Sequence, residues 1–433
     1  MVPNKTIAFH TLGCKLNFAE TSTLSRILEK EGFERKEFQD DADIYVINTC
    51  SVTENAAKEC RQIVRRLRRT APEGLIVVTG CYAQLKPEEI AGIPGVDLVL
   101  SAAEKFNIAE HLKHLTKGES AKICSCDIET IQGFEPAFSL HDRTRAFLKL
   151  QDGCDYNCSF CTIPMARGKS RSDSIANACR NTRQLASGGI KEIVLTGVNL
   201  GDFGTSPVIS QSSAEKSNRV QPREDLFQLI CELDKIEGIQ RYRISSIEPN
   251  LLTNSIIEFV AQSNKFMPHF HIPLQSGSNR ILGLMRRRYK TKLYEERIKA
   301  IKDMMPHCAI GADVIVGFPG ETEADFQETV DFLHKLEISY LHVFTYSERE
   351  NTAALGIKPS VPLTIRQTRN KTLRNLSFMK MQYFSHLHAG QTRKVLFERQ
   401  SKNSVMEGYT DNYIKITTPY KKDWVNEIVD WRL

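Results

Sequence analysis

The chain has 433 residues, of which 41% are hydrophobic and 25% are charged, as in an ordinary globular protein. Two or three domains are expected, because this length exceeds what one hydrophobic core usually serves. No stretch approaches the roughly 20 apolar residues of a membrane span, and the first residues lack a signal-peptide pattern, so we expect a cytoplasmic protein without membrane contact. The net charge of +6 permits a nucleic-acid partner without requiring one.

Residues 1–118 alternate apolar runs with helical patterns, which predicts a small doubly wound α/β domain with a parallel sheet. Its predicted strands are 6–10, 43–48, 75–79 and 96–100, and its clearest helices are 19–30 and 56–69. Residues 119–141 are less periodic and are predicted to be a linker.

Residues 142–375 again alternate strand-like and helix-length segments, which favours a full or partial β/α barrel. Its predicted strands are 192–196, 242–246, 270–274, 310–316 and 340–345. The polar stretch 205–224 has no apolar period and is predicted to be an exposed loop insertion. Residues 376–433 contain the end of a basic helix, predicted over 363–388, and then short strand-like segments, 393–397, 413–417 and 427–429, of a small β-barrel.

A closely spaced cysteine triplet, Cys154, Cys158 and Cys161, forms a CxxxCxxC pattern after the strand-like segment 146–150. Three thiolates in one loop can bind three irons of a cubane and leave the fourth iron open to a small molecule. Twelve cysteines in a chain with no export signal favour metal or redox chemistry over disulfides. A coincidental spacing or a zinc loop is the alternative, although structural zinc normally takes four ligands.

Three further cysteines, Cys14, Cys50 and Cys81, each follow a predicted strand and precede a predicted helix. The carboxyl ends of neighbouring parallel strands converge at one edge of a sheet, so these thiols can meet there. Helix amino termini also favour the thiolate form. The alternative is that they are buried small residues. The same structural role is expected for Cys60, Cys124, Cys126, Cys179, Cys231 and Cys308.

The central triplet closely resembles the cluster motif of the radical S-adenosylmethionine superfamily, and nearly the whole chain resembles the methylthiotransferase family. That family combines an amino-terminal cluster domain, a radical barrel and a carboxyl-terminal TRAM domain. The resemblance rests on the segments GCK (13–15), IPMARG (163–168), TGVNLG (196–201), SSIEP (245–249) and HIPLQSGS (271–278). These segments look like the branch that acts on threonylcarbamoyl-adenosine beside the anticodon of tRNA.

The resemblance implies two [4Fe-4S] clusters, a radical cluster on the central triplet and an auxiliary cluster on Cys14, Cys50 and Cys81. One S-adenosylmethionine would donate a methyl group to sulfur on the auxiliary cluster. A second would be cleaved, with an electron from an external donor, to the radical that removes hydrogen from carbon 2 of the adenine. S-adenosylmethionine contacts are expected, by the same resemblance, from Gly197, Asn199, Ser246, Glu248, Gln275 and Asp313.

Basic residues on the helix after Cys50 are candidate RNA contacts, because Arg61, Arg65 and Arg68 lie on the face opposite Cys60 and Ile63. A second basic patch contains Arg287. Either patch could instead be a solvated face or a helix end. In the carboxyl-terminal region, Trp424 and Trp431 are expected to fill the core of the small barrel rather than to contact RNA. We expect a monomer.

Three alternatives stay open. Within the family, one branch modifies isopentenyl-adenosine in tRNA, and another modifies an aspartate of a ribosomal protein. By resemblance, Lys15, Arg167 and Asn199 favour the threonylcarbamoyl-adenosine branch. The third alternative is a non-catalytic iron-sulfur scaffold that binds RNA.

Overall fold

The computed structural model describes residues 5–50, 54–118, 120–140, 142–205, 224–400 and 404–433. They form three regions that follow one another along the chain. Nearly all of the predicted loop insertion at 205–224 lies outside the described residues. Within these ranges, no helix combines the length and the apolar character that crossing a membrane requires.

The first region is built on six strands, β1 (Thr6–Thr11), β2 (Glu34–Lys36), β3 (Ile44–Thr49), β4 (Leu75–Gly80), β5 (Leu98–Leu100) and β6 (Lys122–Cys124). They form one parallel sheet in the order β2-β1-β3-β4-β5-β6. Its helices are α1 (Lys15–Lys30), α2 (Glu54–Thr70), α3 (Cys81–Leu85), α4 (Pro87–Ala91) and α5 (Ile108–Lys113). β3 and β4 are buried at every position, as expected for central strands covered on both faces.

Helices cover both faces of this sheet, which confirms the predicted doubly wound arrangement. Val46 of β3 belongs to the core that α1 covers, whereas the next residue, Ile47, belongs to the core under α2. This alternation is the two-residue period of a strand. Cys60 on α2 is fully buried in the second core, as its helical periodicity predicted.

The predicted linker at 119–141 requires correction, because it contributes strands to two sheets. β6 extends the first sheet beyond the predicted boundary at residue 118. β7 (Ala137–Phe138) pairs antiparallel with β8 (Arg145–Lys149) of the second region. Strands of two or three residues are too short for hydrophobic periodicity to reveal.

The second region contains β8, β9 (Gln151–Asp152), β10 (Arg171–Ser172), β11 (Glu192–Thr196), β12 (Arg241–Ile244), β13 (His269–His271), β14 (Ala309–Val316) and β15 (Tyr340–Thr345). The parallel strands follow the order β8-β11-β12-β13-β14-β15, with isolated bridges joining β12 to β13. β8 and β15 do not pair within the described residues, so the barrel is partial. β9 and β10 form a separate antiparallel pair.

Eight helices in the described residues accompany these strands: α6 (Ile163–Arg167), α7 (Ile175–Ser187), α8 (Leu226–Asp234), α9 (Asn254–Gln262), α10 (Asn279–Leu284), α11 (Thr291–Met304), α12 (Glu323–Lys335) and α13 (Leu363–Leu387). Ser174, Asp225, Thr253 and Thr322 cap four of them with side-chain oxygens. From the first region, α1 packs against β7 and β8 at the open side of the barrel.

The third region is a four-stranded antiparallel sheet of β16 (Thr392–Gln400), β17 (Val405–Thr410), β18 (Lys415–Pro419) and β19 (Ile428–Arg432), in the order β18-β17-β16-β19. Trp424 and Trp431 pack against Phe397 with ring centroids 5.3 and 5.7 Å away, so both indoles serve the core of this region. Short 3₁₀ segments occur at Glu104–Asn107, Ile128–Thr130, Leu200–Asp202, Ala353–Gly356 and Lys422–Trp424.

Candidate active site

The three amino-terminal cysteines lie at the carboxyl ends of β1, β3 and β4, which are neighbours in the sheet. Cys14 precedes the first turn of α1, Cys50 follows β3 directly, and Cys81 begins α3. A Cβ placed on Gly13 would lie only 2.8 Å from the Sγ of Cys50, so the loop before Cys14 passes directly against that thiol. Gly13 also has a left-handed φ of 101°, which suits glycine at this close approach. The fold thus brings the thiols to one edge.

A buried network of charges lies beside these cysteines and joins the first region to the barrel. The carboxylate of Glu20 on α1 contacts Lys105 Nζ at 2.6 Å, Lys149 Nζ at 3.0 Å and Arg167 Nη1 at 3.1 Å. Asp152 pairs with Lys149 at 2.7 Å and with Arg167 at 2.9 Å. Three buried cations therefore share two buried carboxylates, which leaves one positive charge in excess.

Arg167, one of these three cations, acts electrostatically on the amino-terminal cysteines. The charge of Arg167 acts on both Cys81 and Cys14, and it opposes the increase that burial causes in the pKa of Cys81. A cluster held by three thiolates is an anion, and a buried cation without a matched carboxylate favours an anion at this place. The residues present therefore fit an iron-sulfur cluster on Cys14, Cys50 and Cys81.

The central cysteines Cys154, Cys158 and Cys161 lie in the loop between β9 and α6, and each sulfur accepts a hydrogen bond. The donors are the backbone N–H of Tyr156 to Cys154 at 3.4 Å and that of Ile163 to Cys161 at 3.5 Å. Burial raises the pKa of Cys154 to about 12 and that of Cys161 to about 11, so both are thiols at neutral pH when no metal is bound. Hydrogen-bond donors around the sulfurs fit thiolate ligands of an iron-sulfur cluster.

Arg287 supplies the third of these hydrogen-bond donors. Its position contradicts the prediction that it contacts RNA. Its Nη1 donates a hydrogen bond to the Sγ of Cys158 at 3.1 Å, and its other terminal nitrogen pairs with Glu248. The side chain is only 4% exposed, so it cannot reach a phosphate on the surface. The sequence showed a basic run at 286–290, but periodicity could not reveal that one of its members turns inward.

The residues predicted to contact S-adenosylmethionine line the barrel next to this loop. Gly197 and Asn199 follow β11, Ser246 and Glu248 follow β12, and Gln275 follows β13, whereas Asp313 lies in the middle of β14. Gln151 joins this group to the cluster loop, because it accepts from the Asn199 N–H at 2.9 Å and donates to the Gly153 carbonyl at 2.8 Å. Gln275 has a left-handed φ of 70° and bridges to Val314.

Asp313 belongs to a polar group inside the barrel that the sequence did not indicate. His271 Nε2 lies 2.9 Å and His342 Nδ1 lies 3.3 Å from one oxygen of Asp313. These histidines hold the pKa of Asp313 well below its usual value despite its burial. Asp313 and His342 are direct partners across β14 and β15. The correct pairing register of these two strands would therefore have predicted that contact.

Lys15 of the first region is influenced by the same polar group of the barrel. It begins α1 immediately after Cys14, and the charged groups acting on it include Arg145 and Asp313 of the barrel. Burial, together with Arg145, lowers the pKa of Lys15. Lys15 is nevertheless exposed, and both Cys14 and Asp313 act on its charge.

The basic face of α2 is partly engaged within the protein. Arg61 donates to the hydroxyl of Tyr82 and pairs with Glu89, both at 3.0 Å. Arg65 and Arg68 are exposed, so they remain accessible to a partner.

The third region docks at the opposite end of the barrel from the cysteines. Arg241, the first residue of β12, donates to the carbonyls of Lys394 and Tyr409 at 2.7 and 3.1 Å, and Arg243 of the same strand donates to those of Thr410 and Asp411 at 2.7 and 2.9 Å. Tyr413 stacks on His269 with ring centroids 4.1 Å apart. This sheet therefore covers the amino ends of the barrel strands β12 and β13.

Comparison with known proteins agrees with this arrangement. Residues 6–101 match UPF0004, an uncharacterized protein family, and residues 148–333 match the Radical SAM superfamily. A solved radical S-adenosylmethionine methyltransferase, TsrM from Kitasatospora setae, shares the fold with a TM-score of 0.55 at 14% identity, over 79% of this chain and 73% of that one. The fold and the central cysteines thus define a radical S-adenosylmethionine protein, a class that uses S-adenosylmethionine and a [4Fe-4S] cluster.

Curated relatives identify the family. Threonylcarbamoyladenosine tRNA methylthiotransferase MtaB of Bacillus subtilis is 38% identical over 98% of this chain and 92% of its own length. The MtaB protein of Aquifex aeolicus is 38% identical over 95% of this chain and 96% of its length. A tRNA-2-methylthio-N(6)-dimethylallyladenosine synthase of Clostridium tetani is 30% identical over 99% and 93%. The chain belongs to the MtaB family of methylthiotransferases.

Proposed function

We propose that this protein replaces the hydrogen on carbon 2 of threonylcarbamoyl-adenosine in tRNA with a methylthio group. The observation that supports the proposal is that α3, which begins at Cys81, packs against α6, the helix that follows the central cysteine loop. α6 begins two residues after Cys161 and ends at Arg167, whose charge acts on Cys81 and Cys14. The loops that carry the two triads are therefore adjacent, and a base that enters between them can meet both.

The two triads take different roles. Cys154, Cys158 and Cys161 hold one [4Fe-4S] cluster, and Cys14, Cys50 and Cys81 hold a second. When bound, the clusters supply reductive cleavage of one S-adenosylmethionine and a place for the sulfur that a second S-adenosylmethionine methylates. An external donor provides the electron. A ring hydrogen that is neither acidic nor hydridic requires this chemistry, because general acid-base catalysis cannot remove it.

Side chains of the protein position the central cluster and S-adenosylmethionine. Arg287 fixes Cys158 relative to Glu248, and Gln151 fixes the cluster loop relative to Asn199. We assign Gly197, Asn199, Ser246, Glu248, Gln275 and Asp313 to the surroundings of S-adenosylmethionine. Their support is their common location beside the central triad, at or inside the carboxyl side of the barrel strands.

tRNA binding is assigned to the exposed cations of α2. Arg65 and Arg68 are accessible on the helix that follows Cys50, so they can hold phosphates while the base enters beside the cysteines. Arg61 contributes less to this surface, because it is already paired with Glu89.

Iron counting combined with product analysis tests the proposal. After anaerobic reconstitution, the parent should hold about eight irons, and the triple variants C14A/C50A/C81A and C154A/C158A/C161A should each hold about four. The matched control, C179A/C231A, removes cysteines remote from both triads and should retain about eight.

The parent and the control should convert RNA that contains threonylcarbamoyl-adenosine to its 2-methylthio derivative, detected by mass analysis of nucleosides, and neither triple variant should. Full iron content in C14A/C50A/C81A would refute the auxiliary cluster. Conversion of isopentenyl-adenosine RNA in place of the threonylcarbamoyl RNA would refute the assigned substrate.

A further inference from the structure

Lys15 is an exposed cation at the start of α1, directly after Cys14. Among the described residues its side chain has no hydrogen bond and no ion pair, although protein atoms lie on most sides of it. α1 packs against β7 and β8 at the open side of the barrel, and Asp313 of the barrel is among the charged groups that act on Lys15. An accessible ammonium without a protein partner can bind an anionic group of a ligand that enters beside it.

The neighbouring charges cannot satisfy Lys15, because they are engaged with one another. Arg145 donates to Glu398 at 2.6 Å, and Arg243 donates to Glu192 at 2.7 Å. The carboxylate of Asp313 is held by two histidines. These barrel groups therefore leave the Lys15 ammonium without a hydrogen-bond acceptor, and Cys14 is the other anionic group that acts on it.

The substrate that the proposed function assigns carries the matching group. A threonylcarbamoyl arm on the adenine ends in a carboxylate, whereas an isopentenyl arm is wholly apolar. The arm and carbon 2 belong to the same six-membered ring, so a carbon 2 placed beside Cys14 puts the arm within reach of the next residue in the chain.

We propose that Lys15 binds the carboxylate of the threonylcarbamoyl arm and is a specificity-determining residue of this site. This inference rests on the proposed function. Selection operates by rejection as well as attraction, because an apolar arm packed against the ammonium would displace its water and supply no acceptor in return. Lys15 acts on the arm and not on the reacting carbon, so its loss should affect substrates according to the charge of the arm.

The test compares two RNA stem-loops that differ in one functional group. One carries threonylcarbamoyl-adenosine, and the other carries the same nucleoside with the carboxylate converted to a primary amide. The parent should prefer the acid. Lys15→Met should lower kcat/KM for the acid on the order of 100-fold and should change kcat/KM for the amide by about threefold or less. Lys15→Arg should keep a preference for the acid, and Lys30→Met, at the exposed end of the same helix, should behave as the parent.

The ratio of acid to amide within each variant separates specificity from damage to the adjacent cluster. A role of Lys15 in holding the cluster would reduce both substrates equally, and that result would overturn the inference. Equilibrium binding of both RNAs without reductant gives a second readout. If the parent converts neither RNA, the proposed function fails, yet tighter binding of the acid by the parent and not by Lys15→Met would still support the carboxylate contact. Equal binding of acid and amide by the parent would refute it.

Discussion

Arg287 and Cys158 are joined by a hydrogen bond of 3.1 Å from guanidinium Nη1 to thiol Sγ. The same guanidinium pairs with Glu248, which follows β12, so one buried side chain connects the central cysteine loop to the barrel. Burial raises the pKa of Glu248, and Arg287 opposes that increase. The pair therefore places a carboxylate and its cation directly beside a metal-ligand candidate.

Replacing Arg287 with Met should weaken the central cluster. The substitution removes a donor to Cys158 and leaves Glu248 without its cation, and losing a group of this kind around a metal site typically lowers metal affinity 10- to 100-fold. Chelator competition in the C14A/C50A/C81A background measures the central cluster alone. The control is Lys290→Met, an exposed cation of the same basic run. Unchanged iron retention in Arg287→Met would contradict the assigned role.

Replacing Glu20 with Gln should destabilise the contact between α1 and the barrel. Three buried cations would then share Asp152 alone, and breaking a buried pair typically costs about 3–5 kcal/mol. We expect a lower Tm and loss of iron from the amino-terminal triad. Glu29→Gln, on the same helix but exposed and hydrogen-bonded only locally to Ser25, is the matched control. A Tm within the range of the control would show that the network is not a source of stability.

Elements with a clear hydrophobic pattern were predictable from the sequence. The predicted strands 192–196 and 340–345 match β11 and β15 in full, and α13 differs from its prediction only by its last residue. β17 was missed because Gly408 interrupts an otherwise alternating pattern. β2 and β6 are short edge strands whose exposure removes the apolar signal.

The cysteine positions followed from topology, but the groups around them did not. Glu20 and Arg167 are 147 residues apart in the chain and meet only after the first region docks on the barrel. In the sequence, only family resemblance singled out Lys15. Whether its ammonium has a hydrogen-bond acceptor depends on the folded structure. Local periodicity carries no information on such contacts.

Asp173 should make the protein less stable as pH rises. Burial raises its pKa from 3.8 to about 6, and one of its carboxylate oxygens has no hydrogen-bond partner among the described residues. Below about pH 3 the group is protonated in both folded and unfolded chains and its ionisation does not affect stability, whereas above pH 6 the folded chain holds a buried anion at a cost of roughly 3 kcal/mol. Asp173→Asn should therefore raise Tm at pH 8, and the gain should fall to a small fraction of that value at pH 4.

The exposed residue Asp331 provides the control for this pH profile. Asp331→Asn should leave the difference in Tm from the parent independent of pH. A gain from Asp173→Asn that is equal at pH 4 and pH 8 would show that ionisation of Asp173 is not the cause.

Arg65 and Arg68 should contribute to tRNA affinity through phosphate contacts. The double variant R65A/R68A should bind all tRNAs more weakly, and the slope of log K against log salt should decrease in magnitude by about 2. Binding is measured by titration over a range of salt concentrations. The control K292A/K299A removes two exposed cations from α11. An unchanged salt slope in R65A/R68A would exclude α2 from the RNA interface.

Metal binding by the central triad should strengthen as pH rises. Burial raises the pKa of Cys154 to about 12 and of Cys161 to about 11, so metal must displace protons from these thiols at neutral pH. With Co²⁺ as a spectroscopic probe of the metal-free C14A/C50A/C81A variant, apparent affinity should increase about tenfold or more per pH unit between pH 6.5 and 8.5. An affinity independent of pH would mean that the thiolates exist before metal binds, and that Arg287 and the backbone donors outweigh burial.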